Sequence, residues 1–175
     1  FKGLKLEREC GKISALEEPL RKHNAQGRGI FFVVNHGGDK DEDITRINAV
    51  FVENDSLSIE EQIARLSEFP IPPSLMVKTA KSVHAYWLTT DVTVPEFRTL
   101  QRRLIAQFNG DTSCVNESRV LRLPGFYHCK GDPVLVECIK FNPELRYTKA
   151  QLDEVLPKVT AEETAVVAPI PKGTR

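Results

Sequence analysis

Glu53 and Asp55 stand one residue apart in "NAVFVENDSLS", directly after the apolar run Ala49–Val52. Residues two apart on a strand share a face, with Cα atoms about 6.5–7 Å apart. Two carboxylates at that spacing can converge on one or two divalent cations, and without a cation they repel and raise each other's pKa. Hard oxygen ligands suit magnesium or manganese. The same residues also suit a solvated turn, and the spacing alone does not decide. Ser82 and His84 in "KSVHAYW" share a strand face with Tyr86 by the same period. That pattern suits contacts to an anion or phosphate, or a half-buried hairpin whose histidine bonds a neighbour. A Ser–His hydrolase would need a third, orienting group from another element. In "FNGDTSCVNESRVLRLPGFYHCK", Asp111 follows a helical stretch and Arg119, Arg122 and Lys130 follow it. Asp111 suits a third acidic ligand or a turn cap. The arginines suit bidentate clamps on phosphate or charges guarding a sheet edge. If "RVLR" is extended, Arg119 and Arg122 face opposite sides.

These residues must be positioned by the elements between them. "KISALEEPLRKHNAQGRG" reads as a helix with a glycine stop. Ile30–Asn35 reads as a strand, too short and β-branched for a helix. "ITRINAVFVEND" reads as the next strand, and the two are expected to form an antiparallel pair. Between them lies the polar "HGGDKDED", whose Gly37 and Gly38 suit either a plain connection or close backbone approach to a nucleotide. Ser58 caps a helix carrying Ile59, Ile63, Leu66 and Phe69, which Pro70 stops. "SLMVKTA" and "SVHAYWLTT" read as strands joined by a tight turn at Ala80–Lys81. "VPEFRTLQRRLIAQF" is an amphipathic helix with Phe97, Leu100, Leu104 and Phe108 on one stripe, ended by Asn109–Gly110. A strand broken at Pro124–Gly125, a further strand "PVLVECIKF" and a short helix capped by Thr148 complete the order. Helices mixed with adjacent strands, without a regular βαβ series, indicate the α+β class.

The 175 residues suffice for one domain with a core. Residues 1–159 are expected to form it and the "VVAPIPKGTR" tail, 160–175, to be a linker. Lys plus Arg and Asp plus Glu each number 24, which argues against a general polyanion binder but leaves room for a local basic groove. No apolar run approaches the roughly 18 residues of a membrane span. The chain begins at Phe1 without a signal pattern and is expected to be a piece of something longer. Cys10, Cys114, Cys129 and Cys138 include no CxxC pair. A zinc site from Cys114, His128 and Cys129 is therefore poorly supported, and reduced thiols in a cytoplasmic protein are expected.

Taken in order, an ExD at a strand end, an SxH on a hairpin strand and an Asp before a basic "RLPG" strand resemble the archaeo-eukaryotic primase superfamily. The likeness is to the primase-polymerase domains of plasmids, phages and other mobile elements, and it runs from about Gly29 to Lys130. Glu53 stands where many relatives carry Asp. Some relatives place the third acid nearer to Ser118–Arg119, where this chain has Asn116; the position directly after the helix favours Asp111.

The resemblance implies an antiparallel sheet related to the RNA-recognition-motif fold, with flanking helices. It implies template-dependent joining of nucleotides, with Glu53, Asp55 and Asp111 holding one or two Mg2+ or Mn2+ ions. It implies that Ser82 and His84 contact the phosphates of the incoming nucleotide and that Arg119, Arg122 and Lys130 hold the triphosphate or template backbone. The implied partners are a DNA template or primer, nucleoside triphosphates and a helicase domain C-terminal to this segment.

Two other classes compete. A non-catalytic replication-initiator module would stack bases on sheet aromatics, but Phe31, Phe32, Tyr86 and Trp87 lie in apolar runs that core packing explains. A nicking nuclease needs paired histidines, and His23, His36, His84 and His128 form no HxH or HxxxH pair.

Overall fold

Val83–Thr89, with Val83, Tyr86, Trp87 and Thr89 favouring extended backbone, form β4, the longest strand, and the main sheet is arranged around it. The computed structural model describes residues 7–158. Before β4 come helix α1 (Ile13–Ala25), strand β1 (Phe31–Val33), strand β2 (Ala49–Val52), helix α2 (Ile59–Glu68) and strand β3 (Leu75–Lys78). After it come helix α3 (Val94–Phe108), strands β5 (Val120–Arg122), β6 (Tyr127–His128), β7 (Val134–Leu135), β8 (Glu137–Phe141) and β9 (Arg146–Tyr147), and helix α4 (Lys149–Val155). β2 and β3 flank β4 antiparallel and β8 pairs antiparallel beyond β3. β9 is the exception, running parallel beside Leu88 and Thr89. The class is α+β. The tail from 160 onward lies outside the described residues.

Two expected pairings are corrected. The strand at Phe31–Val33 does not pair with Ala49–Val52 but with Val120–Arg122, across most of the chain. Between the expected partners a single bridge, His36 to Arg46, is all that forms. The glycine pair explains this: a Cβ on Gly37 would meet the carbonyl of Asp43, and one on Gly38 its side chain. Both glycines let the loop close on its own Asp41–Asp43 turn, so they form no open nucleotide cradle. "PVLVECIKF" is also two strands. Val136, 2 % exposed, turns inward, donating its N–H to Phe126 and accepting from Gly125, so β7 joins β6 while β8 joins the main sheet.

The helices pack as their stripes dictate. Ser58 and Glu61 cap α2 reciprocally, and the Glu96 carboxylate accepts from the Thr93 N–H and hydroxyl at the start of α3. Phe69 and Phe108 close on Trp87, with ring centroids 5.8 and 5.6 Å away. Each helix also sends one buried glutamine to a strand backbone. Gln62 Oε1 accepts from Val83 N at 2.7 Å. Gln101 accepts from Phe51 N at 3.1 Å and donates to Phe51 O at 2.6 Å. Since β2 is an edge strand, Gln101 occupies the place of a missing neighbour and seals that edge. The opposite face of β2 and β4, carrying Phe51 and Tyr86, meets the β1–β5 ribbon through Phe32, 6.2 Å from Tyr86. Core packing thus accounts for Phe32, Tyr86 and Trp87 but not for Phe31, which is 48 % exposed with the Arg122 guanidinium over its ring.

Candidate active site

The candidate site is built from the register of β2 and β4. Val52 pairs with Ala85, so the next residue of each strand, Glu53 and His84, stand opposite one another. His84 Nε2 lies 2.8 Å from Glu53 Oε2. Glu53 Oε1 accepts from the Cys114 thiol at 3.1 Å. The hydrogen bond from His84 holds the Glu53 carboxyl below its usual range against the opposing pull of burial, helped by the charge of His84, the Cys114 thiol and the charge of Arg119. Burial and the Glu53 charge push the Cys114 thiol up to about 12. At neutral pH the carboxylate is therefore ionised and the thiol is a protonated donor.

Asp111 arrives beside Glu53 through the end of α3. Asn109 adopts the left-handed conformation, at φ 50°, and turns the chain. Gly110 then passes so close to Val52 that a side chain there would collide with its Cγ2 and sit 3.0 Å from the Glu53 carbonyl. Asp111 N donates to that carbonyl at 2.9 Å. Asn54, between the two acids of the ExD and 6 % exposed, donates to the Phe108 and Asn109 carbonyls at 3.2 and 2.7 Å. Gln101 donates to the Cys114 carbonyl at 2.8 Å, fixing the other side of the loop. As a result, ligand atoms of Glu53, Asp111 and Cys114 all lie within 4.8 Å of one another. The donor chemistry fits a hard divalent cation: two carboxylates with free lone pairs supply oxygen, and the protonated thiol serves to hold Glu53. Around them are polar atoms that are buried and without partners, His84 Nδ1, Tyr86 Oη and Arg119 Nε.

A family profile described as the RepB DNA-primase N-terminal domain matches residues 48–165. The chain belongs to that family. This RepB-type primase domain is also similar to the AEP domain of the primase-polymerase of cyanophage S-2L. The identity is 35 %, the TM-score 0.73, and the match covers 80 % of this chain and 76 % of that one. It shares its fold with the catalytic domain of primase RepB′, solved in complex with initiator DNA, at 21 % identity and TM-score 0.60, covering 88 % of this chain and 79 % of that one. A second structure of primase RepB′ matches at 19 % identity and TM-score 0.58, covering 82 % of this chain and 48 % of that one. No curated protein matches the chain. The domain is thus of the archaeo-eukaryotic primase type found in mobile elements, and no described helix is long and apolar enough to cross a membrane.

The RepB-type site gathers some of the sequence candidates and leaves others apart. Glu53, His84 and Asp111 come together, with the charge of Arg119 acting on Glu53. Asp55 lies exposed on the turn after β2 and is not among the atoms grouped within 4.8 Å. Ser82 is 2 % exposed and its hydroxyl is shared with Thr79 at 3.2 Å. Arg122 lies with its guanidinium over the Phe31 ring, where the Glu53 charge still acts on it, and Lys130 is exposed. Cys114, His128 and Cys129 form no zinc group among the described residues, and all four cysteines are free.

Asn116 belongs to a clamp. Asp41 accepts from the Ser118 N–H and hydroxyl at 3.1 and 2.7 Å, from Asn116 Nδ2 at 3.2 Å and from Arg98 at 2.9 Å. An acid at 116 would face Asp41 and not the candidate site. Asn116→Asp is expected to lower stability by about 1–2 kcal/mol through a lost hydrogen bond and like-charge contact, measured by urea denaturation. An unchanged midpoint would contradict the clamp.

Sequence reasoning missed Cys114, Gln101 and Asn54 as parts of the site. Only Gln101 left a trace, as a polar residue beside the apolar stripe of α3.

Proposed function

We propose that this chain is a template-dependent nucleotidyltransferase, a DNA primase and polymerase, extending a primer or first nucleotide from nucleoside triphosphates. The observation that carries the reading is the pair of carboxylates, Glu53 and Asp111, gathered near the unpartnered Nδ1 of His84 and Nε of Arg119. Glu53 and Asp111, joined by Asp55 from the adjacent turn, would hold Mg2+ or Mn2+. Bound there, the cation supplies acidity to the attacking hydroxyl and neutralises the triphosphate and leaving pyrophosphate.

The chain's own residues orient and neutralise. His84 fixes Glu53 with one ring nitrogen and leaves the other for a phosphate oxygen. Arg119, Arg122 and Lys130 bring positive charge to the triphosphate or to the template backbone. Ser82 acts through the turn it ties to Thr79, which sets where His84 begins. Phosphoryl transfer rests on positioning and charge more than on a protein nucleophile. That suits a site of acids, one histidine and basic residues.

A DNA strand is the partner in this reading, and the likeness to primase RepB′, solved with initiator DNA, supports it. The catalytic unit in this reading is residues 1–159, with 160–175 leading to a further domain such as a helicase, in the cytoplasm.

The test is incorporation of labelled nucleotides on a DNA template with magnesium or manganese, using the wild type and a Glu53→Ala, Asp55→Ala variant. Template-dependent incorporation that the variant loses supports the reading. DNA binding without incorporation in either metal leaves a binding module instead.

A further inference from the structure

Gln62 lies inside α2 and is 4 % exposed, yet none of its side-chain bonds serves its own helix. Nε2 donates to the Leu57 carbonyl at 2.8 Å and to the Lys81 carbonyl at 3.3 Å, and Oε1 accepts from Val83 N at 2.7 Å. Both amide hydrogens and the oxygen are therefore used, as a buried amide requires. Packing alone does not call for an amide here. Ile59 and Leu66, which share this side of the helix by the three- and four-residue rule, are apolar.

The three partners belong to two segments that carry candidate residues. Leu57 stands two residues after Asp55, on the turn that leaves β2. Lys81 and Val83 flank Ser82, and Val83 directly precedes His84. One amide thus joins the Asp55 turn to the start of β4.

The near end of the same turn is held as well. Asn54, besides its bonds to the Phe108 and Asn109 carbonyls, accepts from Ser56 N at 2.8 Å. Asp55 is exposed, but the backbone on either side of it hangs from two buried amides, Asn54 within the turn and Gln62 on α2. A ligand on a turn fixed in this way loses little freedom when it engages a cation.

We propose that Gln62 is a positioning residue of the metal centre: by tying the turn after β2 to the start of β4, it presets Asp55 relative to the strand of His84, so that Asp55 joins the Glu53–Asp111 pair on a cation without reordering the turn. The proposal rests on the reading of Asp55 as the third ligand. Groups that orient metal ligands from behind are typically worth about tenfold to a hundredfold in metal affinity.

The test is Mn2+ binding without nucleotide or turnover, read from the paramagnetic resonance of the free ion, with thermal melting of each sample. Gln62→Met is close in volume and loses all three bonds, and it is expected to weaken Mn2+ binding by about tenfold to a hundredfold. Because Gln62 acts through Asp55, the Gln62→Met, Asp55→Ala double variant should bind no more weakly than Asp55→Ala alone. Thr148→Ala, which removes the cap of α4, is the stability control: its melting temperature falls and its Mn2+ affinity stays. If Gln62→Met does not fold, Gln62→Glu replaces it, since a carboxylate still accepts from Val83 N but offers no donor to Leu57 or Lys81. Unchanged affinity in a folded variant, or losses that simply add in the double variant, overturns the role of Gln62 and leaves the polymerase reading standing. The expected losses together with a wild type that incorporates no nucleotide keep the role and sink the polymerase reading. A wild type that binds no Mn2+ overturns both.

Discussion

Asp111→Asn is expected to lower template-dependent incorporation by about 10²–10³-fold at saturating nucleotide, the loss typical of removing one preorganised electrostatic partner of the transition state. Its melting temperature should stay close to wild type. The carboxylate is exposed, and both its oxygens serve only Ser113 locally, at 2.8 Å each, so little of the fold rests on its charge. The backbone bond from Asp111 N to the Glu53 carbonyl survives the change. The decisive control adds Asn116→Asp to Asp111→Asn. If the true third acid belonged at 116, the double variant would recover incorporation. Because Asn116 points its amide at Asp41, no recovery is expected. Steady-state incorporation on a primed template reads both. Wild-type activity in Asp111→Asn, or rescue by the second change, would remove Asp111 from the site.

Gly110→Ala carries the second large effect, and here both stability and activity fall. The added methyl collides with Val52, 3 % exposed and packed, and lies 3.0 Å from the Glu53 carbonyl, which is closer than such contacts normally come. Overpacking of this kind costs about 1–3 kcal/mol. Relief must come from moving the chain that carries Asp111 away from the strand that carries Glu53. A misplacement near 1 Å at a reacting centre costs about 10²-fold in rate. Incorporation should therefore drop by a larger factor than the small fall in folded population explains. Urea denaturation and single-turnover incorporation on the same sample separate the two. A loss of stability with full activity would show that Val52 yields instead.

Much of this was legible in residue patterns. Ser58, Glu61 and Pro70 bound α2 as capping chemistry requires, and Asn109–Gly110 stops α3. Period-two spacing put His84 and Tyr86 on one face, and Glu53 fell opposite His84 once β2 and β4 were paired. What escaped was long-range. Which strand Phe31–Val33 pairs with depends on Val120–Arg122, far along the chain, and local alternation says nothing about it. Phe31 looked like core because its neighbours are apolar, yet its side of the ribbon is uncovered. Cys114 gave no signal: a lone buried thiol is usually inert packing, and its bond to Glu53 comes from a loop that Gln101 and Asp111 hold from distant elements. Asn54 was hidden between two more conspicuous acids.

The pairing of β1 with β5 has a kinetic meaning. Glu53 and Cys114 are 61 residues apart in sequence, and the ribbon that covers them joins Phe31 to Arg122. Contacts of such high sequence separation must close long loops before they gain anything, so they form late and slowly. During synthesis from the N-terminus, the acids of β2 wait without their histidine, then without Asp111, and finally without the ribbon. A nascent chain that ends before Arg122 carries β2, β3 and β4 but lacks β8 and β9 of the main sheet and the complete partner strand of β1. The pocket that gathers Glu53 and Asp111 is thus finished only when the C-terminal strands of the sheet are in place.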